Sequence, residues 1–324
     1  MALRIPFDQG FWQEYLTGQE AMLPTVLDMK HVTERVIRIL GGNPGPMRLQ
    51  GTNTYLVGTG RCRILVDTGQ GEPCWIKKVV RLLAERQLEI SHVLLTHWHD
   101  DHVGGVPDLV AHDPELASRT YKHEPDPDQK PIADGQIFKV EGATVRAVFT
   151  PGHAADHMCF VLQEERALFT GDNVLGHGYA VVEDLGAYMG SLGRMASLGC
   201  LTGLPAHGER IADLPARLRD YIRHKEIRVR QVLVSLTRSR ADLEARACEG
   251  PGGLTLRELA RSIYGSVPDD VVDMALAPFL VQVLWKLAED GKVGFEPGEP
   301  SKRRWFVSRG TYGGSRRART TVDT

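Results

Sequence analysis

The segment Thr96-His97-Trp98-His99-Asp100-Asp101-His102 constrains this chain more than any other. It sets His97, His99, Asp101 and His102 side by side, directly after His92–Leu95, a short apolar run that reads as a buried strand. Imidazole is the commonest ligand of zinc-like metals, and a loop can aim alternate residues at one point. A fold carrying such a loop must bring further ligands to it from elsewhere. Three later segments have the right form: Thr150-Pro-Gly-His153, Phe169-Thr-Gly-Asp172 and Leu204-Pro-Ala-His207. Each is weak alone, since a single loop histidine is usually a surface group. Their shared context of a strand followed by a glycine-bearing loop makes the combination strong.

The surrounding pattern agrees. Asn53–Val57 and Arg63–Val66 read as strands joined by Gly58-Thr-Gly60, and Thr144–Phe149, Cys159–Leu162 and Ala167–Phe169 as further strands. A helix is expected from about Pro73, with Ile76, Val79, Val80 and Leu83 on one face. Strands, a helix and chemically loaded loops predict an α/β layered domain, residues 1–210, with residues 1–30 as an N-terminal extension packed on it through Phe7, Phe11, Trp12 and Tyr15.

At 324 residues there is room for a second, smaller domain. Leu218, Ile222, Val229, Val232 and Leu236 form the stripe of a long helix. Thr255-Leu-Arg-Glu258 reads as a capping box with Gly265 as its stop, and Phe279–Leu287 as a later helix. Val293–Phe295 and Trp305–Val307 then predict a hairpin, so residues 211–307 read as a helical, winged-helix-like domain. Residues 308–324 are expected to be a disordered tail. The five cysteines are scattered and odd in number, which predicts free thiols and, with no basic-then-apolar leader, a cytoplasmic protein. A formal net charge of −2 supplies no field toward nucleic acid, and no apolar stretch is long enough for a membrane span.

Asp67 in Leu-Val-Asp-Thr-Gly, the H-x-H-x-D-H run, His153, Asp172 and His207 resemble, in order, the motifs of the metallo-β-lactamase superfamily. The resemblance implies a four-layer αβ/βα sandwich over roughly residues 30 to 210. It implies two divalent metal ions: His97, His99 and His153 on one, Asp101, His102 and His207 on the other, with Asp172 bridging them. Asp67 would orient the histidine loop from behind. Imidazole and carboxylate without thiolate suit Zn2+, favoured here, and also Mn2+ or iron. The segment Asn43–Val57 and the winged-helix-like part are similar to the β-lactamase-like protein 2 group, which cleaves single-stranded RNA. Pro6–Tyr15 together with Thr96–Leu109 more closely resemble the fungal acyl-carrier-protein thioesterases, exemplified by the atrochrysone carboxyl carrier-protein thioesterases.

That closer resemblance implies a metal-dependent thioesterase. It would release a polyketide from the acyl carrier protein of a non-reducing polyketide synthase, by hydrolysis with a metal-activated hydroxide or by Claisen-type cyclisation. Asp101 would orient the nucleophile and take its proton. An endoribonuclease is the alternative, disfavoured by the slightly negative charge. The expected partners are the carrier protein and the polyketide thioester, with no membrane and, by resemblance, a homodimer. His157 is expected either at the substrate or in hydrogen bonds within its own loop, and His177 and Tyr179 at the pocket mouth. Lys302–Arg304 and Arg316–Arg319 read as solvated charge, or as a landing site for an acidic carrier protein.

Overall fold

Apolar runs, several of them buried on both faces, pair into two sheets, described by a computed structural model over residues 23–45, 47–245, 252–300 and 302–308. The first sheet holds, in spatial order, β1 (Met29–His31), β2 (Val36–Leu40), β3 (Asn53–Val57), β4 (Cys62–Val66), β5 (Glu89–Leu94), β6 (Thr120–Lys122) and β7 (Lys130–Pro131). It is antiparallel from β1 to β4 and parallel from β4 to β7. The second sheet runs β12-β11-β10-β9-β8, with β8 (Ile137–Val140), β9 (Ala143–Phe149), β10 (Met158–Leu162), β11 (Ala167–Gly171) and β12 (Thr202–Pro205). Only its β11–β12 pair is parallel.

The sheets face each other across one core. Val36, Tyr55, Val57, Ile64 and Leu94 meet Phe138, Val145, Met158, Phe160 and Phe169 there. Ile37, Ile39, Leu56 and Leu65 point the other way and pack on Trp75, Val79 and Leu82 of α1 (Pro73–Arg86). The amphipathic spacing read from the sequence is therefore the face α1 buries. Val148, Cys159 and Leu168 point out of the inter-sheet core yet are buried, so the second sheet is covered too. After the short helices α2 (Asp100–Val103) and α3 (Val106–His112), α4 (Leu185–Ser197) buries Tyr188, Leu192 and Met195 and donates from Ser191 Oγ to Pro151 O at 2.7 Å. The result is the helix–sheet–sheet–helix layering expected.

The helix α4 is a departure from expectation. Gly186, Gly190 and Gly193 lower its intrinsic propensity and masked it. Asp184, whose side chain accepts from Ala187 N at 2.9 Å, is the cap that starts it.

The helix α5 (Leu214–Ala245) contains the boundary between two compact units, one ending at Arg223 and the other starting at His224. In the second unit, α6 (Leu256–Tyr264) starts at the Thr255/Glu258 capping box, with both reciprocal hydrogen bonds formed, and stops at Gly265. A chain segment passing through α7 (Asp269–Val271) leads to α8 (Ala277–Glu289), and β13 (Val293–Phe295) pairs antiparallel with β14 (Trp305–Val307). Leu259, Leu280, Val283, Leu284, Val293 and Trp305 are buried there. The N-terminal aromatic segment and the C-terminal tail with Arg316–Arg319 lie outside the described residues. Among the described residues no helix is long and apolar enough to cross a membrane.

Trp75 is fully buried and donates from Nε1 to Thr54 Oγ1 at 2.9 Å, which in turn donates to Ile39 O at 2.8 Å. Trp75→Ala should therefore cost about 3–5 kcal/mol in urea unfolding. A loss below about 1 kcal/mol would contradict this packing.

Candidate metal centre

Strand direction decides where the chemistry collects. The strands β4 and β5 are parallel, so Asp67 and Thr96 leave the first sheet at the same edge. The strands β9 and β11 are each antiparallel to β10, and β12 is parallel to β11, so Thr150, Asp172 and His207 leave the second sheet at one edge. Two links bring those edges together: Met158 N donates to Thr96 O at 2.7 Å, and Asn53 N donates to Ala206 O at 2.6 Å. All five expected loops thus meet at one end of the sandwich, the usual place for chemistry in a sheet whose strands share a direction.

Behind them sits Asp67, a non-glycine residue held at φ 57° and almost wholly buried. Its Oδ1 accepts from Thr96 N at 2.8 Å, and its Oδ2 accepts from His102 Nδ1 at 2.9 Å and from Thr96 Oγ1 at 3.0 Å. The strained backbone is maintained by these contacts. With Nδ1 of His102 held by Asp67, its Nε2 is the atom turned toward the cluster. His153 is set the same way, because its Nδ1 donates to Val181 O at 2.8 Å.

Two donor groups result. His97, His99, His153 and Asp172 form one, and Asp101, His102 and His207 the other. In the first, His97 Nε2, His99 Nδ1 and His153 Nε2 lie 2.9 to 3.2 Å from one another. Tetrahedral zinc with Zn–N near 2.0–2.1 Å would space its nitrogens by about 3.3 Å. In the second, His207 Nε2 is 3.2 Å and His102 Nε2 3.6 Å from Asp101 Oδ2. Asp172 touches both: Oδ2 is 3.5 Å from His153 Nε2, and Oδ1 is 3.2 Å from His207 Nε2 and 3.5 Å from His102 Nε2.

The donors fit a pair of cations. His102 Nε2, His207 Nε2 and Asp172 Oδ1 are buried without a hydrogen-bond partner, at the points where ligand atoms converge. Such orphaned polar atoms are costly unless something absent from the chain satisfies them. The electrostatics agree. Burial holds His97 neutral, well below the usual imidazole range. Burial opposes charge at His207 as well, but Asp172 and Asp101 outweigh it and raise the group to about 9. Burial would raise Asp101, yet His102 and His207 bring it down to about 2. The cluster draws positive charge, whether as protons or as metal ions.

Around this floor a cavity of about 530 Å³ opens, lined by Met47, Arg48, Leu49, Leu175, His177, Tyr179, Ala180, Val181 and Glu183 together with His99, Asp101, His153 and Asp172. His177 and Tyr179 line it. His157 does not. It is fully buried beneath the cluster, accepts from Asp172 N at Nε2 (3.1 Å), and faces Thr150 Oγ1 at 3.1 Å through Nδ1. Its hydrogen-bond partners come from its own loop at Thr150 and from the following one at Asp172 and Asn173. Its ring packs on His97 at 5.1 Å, and a Cβ at Gly171 would collide with Nε2, which explains the glycine before Asp172. Sequence reasoning missed Thr96, Asn173 and Val181. Asn173 donates to Thr150 O at 2.8 Å and Val181 acts only through its carbonyl, so neither carries a signal in residue type. Thr96, beside the histidines, could have been suspected from its place.

Comparison with known proteins places these features. A profile of the metallo-beta-lactamase superfamily matches residues 47–207. The chain is 67% identical over 308 residues to the lactamase-like protein adaB of Aspergillus niger, covering 95% of this chain and 96% of that one. It is 64% identical over 310 residues to the lactamase-like protein nscB of Aspergillus fumigatus, covering 95% and 94%. Among solved structures, a beta-lactamase domain protein from Burkholderia ambifaria superposes with a TM-score of 0.70 at 18% identity, covering 89% and 95%. A metallo-beta-lactamase family protein from Thermus thermophilus gives 0.60 at 25%, covering 86% and 100%.

Because Asp67 fixes the orientation of His102, Asp67→Asn should weaken metal binding about 10–100-fold in a chelator-competition titration. Unchanged affinity would mean that the hydrogen bond at 2.9 Å does not set the ligand.

Proposed function

The chain belongs to the metallo-β-lactamase superfamily, and from that premise we propose that it is a dinuclear thioesterase freeing a polyketide from an acyl carrier protein. The carrying observation is the pairing of two donor groups through Asp172 with a cavity whose walls are largely apolar, from Met47, Leu49, Leu175, Ala180 and Val181. The fold and the donor set support a metal-dependent hydrolase. The apolar walls favour an acyl group over a nucleotide chain. Zn2+ suits the donors, and Mn2+ is the alternative.

Metals bound here would polarise a carbonyl and supply a nucleophile from water at neutral pH. The chain's own residues set the rest. Asp172, reaching both groups, fixes their separation. Asp101 stays ionised at the cavity floor, where it orients the attacking group and accepts its proton. His153 is locked by Val181 O, so the cavity wall and the donor cluster hold one geometry. A thiolate leaving group, with a free thiol pKa of about 8.5, departs without an acid, and none is needed from the chain. Cys159 takes no part: it is buried, and burial pushes its thiol up to about 12. With a carbon nucleophile on the acyl chain the same site would give Claisen-type cyclisation.

The test is product release from a polyketide synthase lacking its own thioesterase domain, followed by mass spectrometry. Release should rise with the protein present and fall at least about 100-fold with chelator or with His97→Ala. No release from several such synthases, with cleavage of single-stranded RNA instead, would replace this reading with a nuclease.

A further inference from the structure

The cavity wall holds one residue that neither apolar packing nor the donor cluster explains. Arg48 is half-buried on the loop before β3, between Met47 and Leu49, and lines the cavity together with the metal-binding floor. Among the described residues it is the sole lysine or arginine that lines the cavity, and no carboxylate of theirs lies within 4.0 Å of its guanidinium. The other fixed charges among the described lining residues are Asp101, Asp172 and Glu183, and the first two belong to the donor groups that would hold the cations. Met47 and Val181, which line the same cavity, are exposed at 67% and 57%.

We propose that this cavity selects an apolar acyl thioester that also carries a negative charge, and that Arg48 is the residue that reads the charge. A guanidinium set in an apolar wall is a planar donor suited to carboxylate or phosphate. Divalent cations at the floor would draw the thioester carbonyl toward Asp101 and Asp172, so a second, anionic group of the same ligand is met on the wall by Arg48. The loop holding the opposite wall is firm enough to enforce this: Arg217 donates to Gly178 O at 2.6 Å and stacks on Tyr179 and Tyr221, while Leu175 N donates to Tyr221 Oη at 3.0 Å. The anion could sit on the acyl group as a carboxylate or on the carrier arm as a phosphodiester. The inference takes the reacting thioester from the proposed function, whereas the charge preference assigned to Arg48 is the part that Arg48→Gln removes.

The experiment uses the metal-loaded full chain and two substrate pairs. One pair is the N-acetylcysteamine thioesters of naphthylacetic acid with and without a free carboxylate on the ring. The other is the pantetheine and phosphopantetheine thioesters of naphthylacetic acid. Wild type should show a KM at least about tenfold lower for the charged member of one pair. Arg48→Gln should bring that KM ratio close to one, and Arg48→Lys should restore part of it. A preference confined to the first pair places the anion on the acyl group, and one confined to the second places it on the carrier arm. A ratio near one in wild type for both pairs, or a ratio untouched by Arg48→Gln, overturns the inference. If wild type cleaves none of the thioesters, the thioesterase reading fails, and calorimetry with the free ring-carboxylated naphthylacetic acid still decides the present one. Tighter binding to wild type than to Arg48→Gln supports it, and equal binding overturns it.

Discussion

The carboxylate of Asp67 joins two strand ends and one imidazole, and the rest of the site is built outward from that junction. By accepting from Thr96 N and His102 Nδ1 it ties the end of β4 to the start of the histidine loop and turns His102 Nε2 inward. Parallel pairing of β4 with β5 places the two segments side by side, and pairing within the second sheet delivers Thr150, Asp172 and His207 to the same end. The sandwich core of Tyr55, Ile64, Phe160 and Phe169 holds the sheets in register. Because apolar burial is non-directional, the core cannot aim an imidazole. Hydrogen bonds accepted by Asp67 from His102, by Val181 O from His153 and by His157 from the Asp172 amide do so.

Much of this was legible in residue order. The strands and loops around His97–His102, His153, Asp172 and His207 follow from apolar runs that end in glycine-bearing loops, and the capping box at Thr255 and Glu258 follows from local hydrogen-bonding chemistry. What was not legible depends on tertiary context. The helix α4 is rich in glycine, so its propensity spoke against it while packing of Tyr188, Leu192 and Met195 carried it. His157 shows the limit most clearly. A lone histidine four residues after a ligand looks the same whether it faces substrate or lies buried, and only the fold puts it under the Asp172 amide. Arg48 is a similar case: an arginine in a loop is unremarkable until its neighbours prove to be the wall of a cavity.

Cavity and cluster share their supports. The segment from Leu175 to Glu183 forms one wall, and it is fastened to α5 by Arg217 and Tyr221 and to the donor cluster by Val181 O. A ligand pressing on that wall would therefore be felt at His153. This is how a fold whose floor chemistry is general can acquire selectivity: the floor is made by strand ends, and the walls by loops that can vary without disturbing them.

The central claim is that Asp172 joins two metal positions built from the two donor groups. Anomalous diffraction from crystals of the zinc-loaded protein tests it directly. The account predicts two peaks about 3.5–4 Å apart, one within bonding distance of His97, His99 and His153 and the other of Asp101, His102 and His207, with Asp172 reaching both. A single peak, or two peaks that leave Asp172 out, would contradict it.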